Sequence, residues 1–254
     1  MEKKQHLHEG HRQRLKERFV AQGLEGFAPH NILELILFYS IPRKDTNELA
    51  HTLINTFGSF QGVFEADYEE LLKVPGIKEN TATLIKLIPA VARQYALEKH
   101  DNLVFKSADK VGEYFVDKFF GEKHEIVYMM LLNANLEMLA CVKLHEGSVN
   151  SSQVSERQIV DHIVKYNASS IILAHNHPGG SYYPSMEDIQ TTAHLTSVAQ
   201  MLDVQLLEHF VISGTEYIPI IHTTDSLCMH NKPNRDFFRR SKYVDYDGLD
   251  MDND

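Results

Sequence analysis

The spacing of the apolar residues changes near residue 100, and this change constrains the fold more than any other feature of the sequence. Between Asn31 and Tyr95 the apolar residues recur three and four positions apart, which is typical of short amphipathic helices. After the charged stretch at 98–102, strand-like runs alternate with helical ones. We therefore predict an α+β protein with a helical domain at 1–100 and, at 103–226, a mixed sheet flanked by helices.

Five strands and three helices are predicted in the second domain. The strands are Glu125–Leu132, Leu139–Leu144, Ser170–Ala174, Val204–Ser213 and Tyr217–Ile221. The helices are Ala108–Phe120, Ser155–Tyr166 and Ser185–Leu202. Residues 228–254 are polar and acidic, with five aspartates among the last ten residues, and this composition predicts a disordered or partner-dependent tail.

Composition excludes several classes of protein. The 254 residues carry a formal charge of −10, and all of the excess acid lies after residue 100. Only two cysteines occur, Cys141 and Cys228, and they form no CxxC pattern, so neither a disulfide framework nor a thiolate zinc site is expected. No apolar run is long enough to span a membrane, and the basic N-terminus lacks the apolar segment of a signal peptide. The sequence predicts a cytoplasmic protein without a membrane partner.

The most informative segment runs from Ile171 to Asp188: an apolar strand, a glycine-containing loop and the start of a helix. Side chains two apart on a strand point to the same side, so His175 and His177 can present both imidazoles to one point. Pro178 ends the strand, and the loop can bring Asp188 toward them. Two nitrogens and one carboxylate oxygen form a three-ligand zinc site whose fourth position is free for water.

Two simpler explanations compete with a metal site. Ser185 and Asp188 also have the spacing of a capping box, which needs no metal. A His-x-His pair can arise by chance in a chain with 15 histidines. The joint pattern, in its context of strand, loop and helix start, favours the metal site.

This joint pattern resembles the MPN/JAMM metalloprotease signature, and the segment HNHPGG with its flanks, LHEGSVNSS and LLEHFVISG, resembles the RadC family in particular. GHRQRLKERF and LLKVPGIKENTA resemble the N-terminal helix-hairpin-helix region of RadC-like proteins. The resemblance implies an MPN/JAMM-type, cytidine-deaminase-like mixed β-sheet flanked by helices, preceded by a helix-hairpin-helix domain. It also implies a metallopeptidase that hydrolyses a peptide or isopeptide bond of a peptide or protein substrate.

The resemblance also implies roles for individual residues. One Zn²⁺ would bind His175, His177 and Asp188 and activate a water molecule. Glu125, at the start of the preceding strand, would act as the proton shuttle, with Glu122 as the alternative. Ser185 would support the developing oxyanion, although helix capping competes for the same hydroxyl.

His209 lies in LLEHFVIS, where the family commonly has Asp-His and this chain has Glu208. A hydrogen bond from His209 to a metal ligand is conceivable, but the sequence favours an ordinary structural histidine.

The segment Val74–Ala82 has the outline of a hairpin that contacts DNA phosphates through backbone N–H groups. Lys78 replaces the second hairpin glycine, and the domain carries no net positive charge, so DNA contact and simple helix packing are equally supported. The alternative function is therefore a DNA-binding repair or recombination accessory protein with a structural or vestigial metal site.

A zinc nucleobase deaminase is excluded because its Pro-Cys-x-x-Cys motif is absent. A metal-dependent barrel hydrolase is excluded because too few residues follow the histidine pair. The sequence leaves the oligomeric state open.

Overall fold

A computed structural model describes residues 2–42, 44–100, 107–147 and 154–225. The chain divides into two compact units, the first ending at Gln94 and the second beginning at Tyr95. The predicted acidic tail, 228–254, lies outside the described residues.

The first unit is helical, as the apolar spacing predicts. Its helices are α1 (Glu2–Gln22), α2 (Pro29–Ser40), α3 (Asn47–Phe57), α4 (Phe60–Glu65), α5 (Tyr68–Lys73) and α6 (Glu79–Glu98). The apolar faces of α2 to α6 meet in one core, in which Leu33, Leu37, Leu53, Leu71 and Ile85 are fully buried. Leu15 of α1 packs against Leu35 and Phe38 of α2 in a separate cluster.

Helices α5 and α6 are joined by a short turn, at the position where the sequence predicts the helix-hairpin-helix. In the connecting turn, the side chains of Val74 and Ile77 are buried in the core of the first unit. Gly76 lies between them with φ +97°, a conformation that L side chains rarely adopt. Lys73 and Lys78 remain exposed on either side of the turn.

The second unit is a five-stranded mixed sheet flanked by helices, so the predicted α+β fold is confirmed. Its elements are α7 (Ala108–Phe119), β1 (Ile126–Leu132), β2 (Met138–Glu146), α8 (Glu156–Tyr166), β3 (Ser170–Asn176), α9 (Met186–Gln200), β4 (Gln205–Ser213), β5 (Glu216–Pro219) and α10 (Ile220–Asp225). The strand order is β2-β1-β3-β4-β5, so β3 lies in the middle. Among the described strands, only β3 and β4 pair in parallel, and α9 connects them.

Side chains alternate between the two faces of the sheet, and each face has its own core. On one face, Met129 and Leu173 pack against α8 and α9. On the other, Ile172 and Phe210 pack against α7. Because β3 lies in the middle of the sheet and is covered on both faces, all seven of its residues are buried, including the polar Ser170, His175 and Asn176.

The last predicted strand, Tyr217–Ile221, is shorter than expected. Strand β5 ends at Pro219, and the chain turns into α10 at Ile220. The buried carboxylate of Glu208 accepts hydrogen bonds from the backbone N–H groups of Ile221 and His222. These bonds satisfy two N–H groups that begin the helix without intrahelical partners, which favours helix over strand here.

None of the helices within the described ranges combines the length and apolar character required to cross a lipid bilayer.

Candidate metal centre

The two predicted histidine ligands lie where β3 leaves the sheet. His175 is paired with Val127 of β1 and Val211 of β4 in the last part of the strand. Strand β3 ends at Asn176, and the backbone N–H of His177 still donates to the carbonyl of Ile212, at 2.8 Å. This bond holds His177 beside the sheet before Pro178 turns the chain away.

The described structure brings His175, His177 and Asp188 together as one potential metal-binding group. The Nε2 atoms of the two histidines are 3.0 Å apart. Asp188 Oδ1 lies 3.2 Å from Nε2 of His175, and its Oδ2 lies 3.9 Å from Nε2 of His177. Ligands of a tetrahedral zinc with Zn–N distances of about 2.0–2.1 Å are about 3.3 Å from each other, so the spacing fits such an ion.

The hydrogen bond of His177 defines which of its nitrogens faces the site. Nδ1 lies 2.7 Å from the backbone carbonyl of Ser181. A carbonyl oxygen only accepts hydrogen bonds, so Nδ1 carries the proton. In the neutral ring Nε2 is then unprotonated, and its lone pair points at His175 and Asp188.

A longer chain of hydrogen bonds defines the tautomer of His175. The hydroxyl of Thr192 donates to the backbone carbonyl of Asp188, at 2.6 Å. Thr192 therefore accepts from Nδ1 of His209, at 2.7 Å, and Nε2 of His209 accepts from Nδ1 of His175, at 2.8 Å. Nε2 of the neutral His175 ring is thus also unprotonated and faces the site.

These three ligand atoms are therefore suited to binding a cation. Two nitrogen lone pairs and a carboxylate oxygen converge with no hydrogen-bond donor between them. Neutral imidazole and carboxylate are ligand types that Zn²⁺ accepts. His175 and Asp188 are buried, whereas the His177 side chain is 20% exposed, so the site reaches solvent on the His177 side.

Asp188 also forms the capping box that its spacing with Ser185 predicts. Ser185 Oγ accepts from the N–H of Asp188 at 3.1 Å, and Asp188 Oδ2 accepts from the N–H and the hydroxyl of Ser185, at 2.7 and 2.6 Å. The cap uses Oδ2 and leaves Oδ1 toward His175. Capping and ligation are therefore compatible, because each uses a different oxygen.

Two pKa shifts accompany this packing. Burial alone would raise the pKa of Asp188, but the adjacent His175, which attracts the carboxylate when its ring is protonated, and the hydrogen bonds from Ser185 outweigh burial and hold the pKa below the usual carboxyl range. Burial and, secondarily, the neighbouring His175 lower the pKa of His209 well below 6.5. At neutral pH the carboxylate is charged and His209 is neutral, as the tautomer assignment requires.

Glu125 immediately precedes β1 and is half-buried. Val127 pairs with His175 and Glu125 lies two residues before Val127, so strand alternation predicts that Glu125 shares the face of His175 and His177. The side-chain amide of Asn176 brackets Glu125: its Oδ1 accepts from the N–H of Ile126 at 2.7 Å, and its Nδ2 donates to the carbonyl of His124 at 3.0 Å. Glu122 lies three residues earlier, outside the strand.

Sequence reasoning missed two buried residues that contact this site, Thr192 and Asn176, and gave His209 only as a possible partner of a ligand. For Thr192, the available signal is its position one helical turn after Asp188, on the same face of α9. His209 does form the hydrogen bond to a predicted ligand that the sequence left as the less favoured possibility. Asn176 carries no signal of its own, because a strand residue between two ligands is expected to face away from them.

A mixed sheet with two histidines at the end of its middle strand and an aspartate in the first turn of the next helix is consistent with the JAB/MPN class of domain that the motif resembles. A RadC-like JAB domain matches residues 105–225. The chain is 34% identical to UPF0758 protein FN0909 of Fusobacterium nucleatum subsp. nucleatum over 84% of this chain and 95% of that protein. It is also 34% identical to UPF0758 protein SPO0054 of Ruegeria pomeroyi, over 80% of this chain and 91% of that protein. The chain belongs to the RadC-like JAB domain family, and the resemblance drawn from its motifs is confirmed.

Proposed function

We propose that this protein is a zinc-dependent metallopeptidase that hydrolyses a peptide or isopeptide bond of a peptide or protein substrate. The observation that carries the proposal is the convergence of the two Nε2 lone pairs and Asp188 Oδ1 on one point that reaches solvent beside His177. A site that only stabilised the fold would be closed on all sides, whereas a catalytic zinc site keeps a position for water or substrate.

His175, His177 and Asp188 would hold the ion. Bound zinc would supply a Lewis acid that polarises a carbonyl and lowers the pKa of water to about 7. The other steps are assigned to the chain itself. Glu125, two residues before the Val127 that pairs with His175, would take a proton from water and return it to the leaving amine. Asn176 and the neighbouring strand hold the backbone at Glu125 in place for this transfer.

Ser185 is proposed as a supporting residue for the oxyanion. Its hydroxyl proton points at Asp188 Oδ2, and its oxygen accepts from the Asp188 N–H. Rotation of this proton toward substrate would give up its bond to Asp188 Oδ2, while both bonds of the capping box remain. A contribution from Ser185 would therefore be smaller than that of an uncommitted oxyanion donor, which is worth about 10²–10³-fold in rate.

Metal analysis of the purified protein tests the ligand assignment. We expect about one zinc per chain in the parent and a large loss in His177→Ala and Asp188→Ala. Equal zinc content in all three proteins would contradict the site.

Activity is a separate test. On a substrate that the parent cleaves, Glu125→Ala should abolish turnover while zinc content stays at the parental level. Glu122→Ala is the matched control and should retain turnover. If the Glu122 variant alone lost turnover, the proton shuttle would be Glu122.

A second candidate function rests on the first unit. The exposed hairpin between α5 and α6, with its buried Val74 and Ile77 anchors and exposed Lys73 and Lys78, supports contact with DNA phosphates in an accessory repair or recombination role. Measuring DNA affinity as a function of salt tests this role. Gly76→Ala combined with Lys78→Glu should weaken binding and reduce its salt dependence, whereas affinity equal to that of the parent would exclude the hairpin.

A further inference from the structure

We propose that His209 and Thr192 are positioning residues that hold His175 in the tautomer able to bind metal through Nε2. The inference deepens the proposed function, because it rests on metal binding at His175, His177 and Asp188. It adds two residues that do not contact the metal position themselves.

Three consecutive hydrogen bonds connect β3 with α9, the two elements that supply the ligands. The first hydrogen bond joins His175 on β3 to His209 on β4, and the second joins His209 to Thr192 on α9. The third joins Thr192 to the backbone carbonyl of Asp188 on the same helix. All four residues are buried, at 3%, 4%, 4% and 8% exposure. Water therefore does not compete for these bonds, and each one restrains the next.

One hydroxyl proton, that of Thr192, determines which group donates and which accepts in each of these hydrogen bonds. Thr192 has a single proton, and its oxygen lies 2.6 Å from a carbonyl that can only accept. If the direction were reversed, Thr192 would donate to His209 and two oxygen lone pairs would face each other at that distance. The reversed direction would also place a proton on Nε2 of His175, where the metal binds. The Asp188 carbonyl thus selects the tautomer through Thr192.

The pairing of β3 with β4 explains why the connection forms at this place. His209 lies opposite Leu173, two residues before His175, on the face of the sheet that α9 covers. Thr192 follows Asp188 by four residues and lies on the same face of α9. The ligand aspartate and its partner threonine are thus presented together to the sheet.

Zinc affinity, measured by competition with a chelator, tests the proposal. Thr192→Val keeps the shape of the side chain and removes both hydrogen bonds, so we expect a loss of about 10–100-fold in affinity, the usual effect of removing such a partner. Thr192→Ser keeps the hydroxyl and should restore affinity close to the parental value.

Thr196→Val is the matched control. Thr196 is also on α9 and donates its hydroxyl, at 2.8 Å, to the carbonyl four residues earlier. That carbonyl is the backbone oxygen of Thr192, so the bond does not involve the Thr192 hydroxyl. Replacement of Thr196 should leave zinc affinity unchanged. Equal affinity in the parent and the Thr192→Val variant would overturn the proposal, as would equal losses in the Thr192→Val and Thr196→Val variants.

A spectroscopic measurement keeps the proposal testable even if the parent binds no zinc, a result that would contradict the proposed function instead. Long-range ¹H–¹⁵N spectra of histidine in the metal-free protein should report His209 as the Nδ1–H tautomer, with the signal assigned by its absence in His209→Gln. The Thr192→Val variant should shift His209 toward Nε2–H. An Nε2–H tautomer of His209 in the parent would refute the assigned direction.

Discussion

Replacing Ser185 with alanine and Asp188 with asparagine should separate helix capping from metal binding. Ser185→Ala removes the hydroxyl that accepts from the Asp188 N–H, but leaves the carboxylate beside His175. Asp188→Asn keeps an oxygen that can accept from the Ser185 N–H, but removes the negative charge that a cation needs. The first change therefore weakens the start of α9, and the second weakens the metal site.

The expected sizes follow from these contacts. Loss of an N-cap costs about 1 kcal/mol of unfolding free energy, which corresponds to about 2–4 °C in Tm for a domain of this size. Zinc at 100 times its Kd stabilises the folded parent by about 2.7 kcal/mol, or about 5–11 °C. If Asp188→Asn weakens binding by about 100-fold, the same zinc concentration contributes only about 0.4 kcal/mol.

Thermal unfolding with chelator and with zinc, followed by circular dichroism, measures both effects. Ser185→Ala should unfold at a lower temperature than the parent in chelator and should keep the full zinc-dependent rise in Tm. Asp188→Asn should lose most of that rise. If zinc raised the Tm of Asp188→Asn as much as that of the parent, Asp188 would not be a ligand. If zinc no longer raised the Tm of Ser185→Ala, helix capping and metal binding would not be separable. The inference that they use different oxygens of Asp188 would then be wrong.

Three further predictions concern the fold and its pH dependence. Gly112→Ala should cost about 1–3 kcal/mol in urea unfolding, because a Cβ there would overlap the Tyr217 ring. Leu53→Ala should cost about 2–5 kcal/mol of stability in the first unit, whereas Leu87→Ala, which is 51% exposed, should cost much less. Burial lowers the pKa of His209 below 6.5, so below that pH the unfolded chain binds the extra proton. Unfolding free energy should therefore fall on acidification below pH 6.5 by up to about 1.4 kcal/mol per pH unit, with a shallower slope in His209→Gln.

The ligand cluster was predictable from sequence because its geometry is local. His175 and His177 are two residues apart at a strand end, and Asp188 follows within one loop, so strand alternation and a helix start define their meeting point. The same reasoning predicts the cap between Ser185 and Asp188. It does not predict that each oxygen of Asp188 has its own partner, because that depends on the side-chain rotamer.

The hydrogen bonds that connect His175, His209 and Thr192 were not predictable, because they depend on a contact between neighbouring strands of the sheet. His209 reaches His175 only through the parallel pairing of β3 with β4, whose register contains a shift between Ile171 and Ile172. A displacement of one residue would place His209 on the opposite face, toward α7. Sequence patterns within each strand are the same for either register, so the structure was needed to distinguish a structural histidine from a positioning one.

The arrangement explains why Asp188 lies in the first turn of α9 rather than further along it. At this position the carboxylate is attracted by the positive end of the helix and by the Ser185 N–H, so it stays ionised beside two histidines before any metal binds. One turn later the same helix presents Thr192 to His209. An aspartate placed one turn further into the helix would lose the cap, and its carbonyl would no longer be the acceptor for Thr192. The start of α9 thus supplies the charge of the site and, through one hydroxyl proton, the tautomer of a histidine on a neighbouring strand.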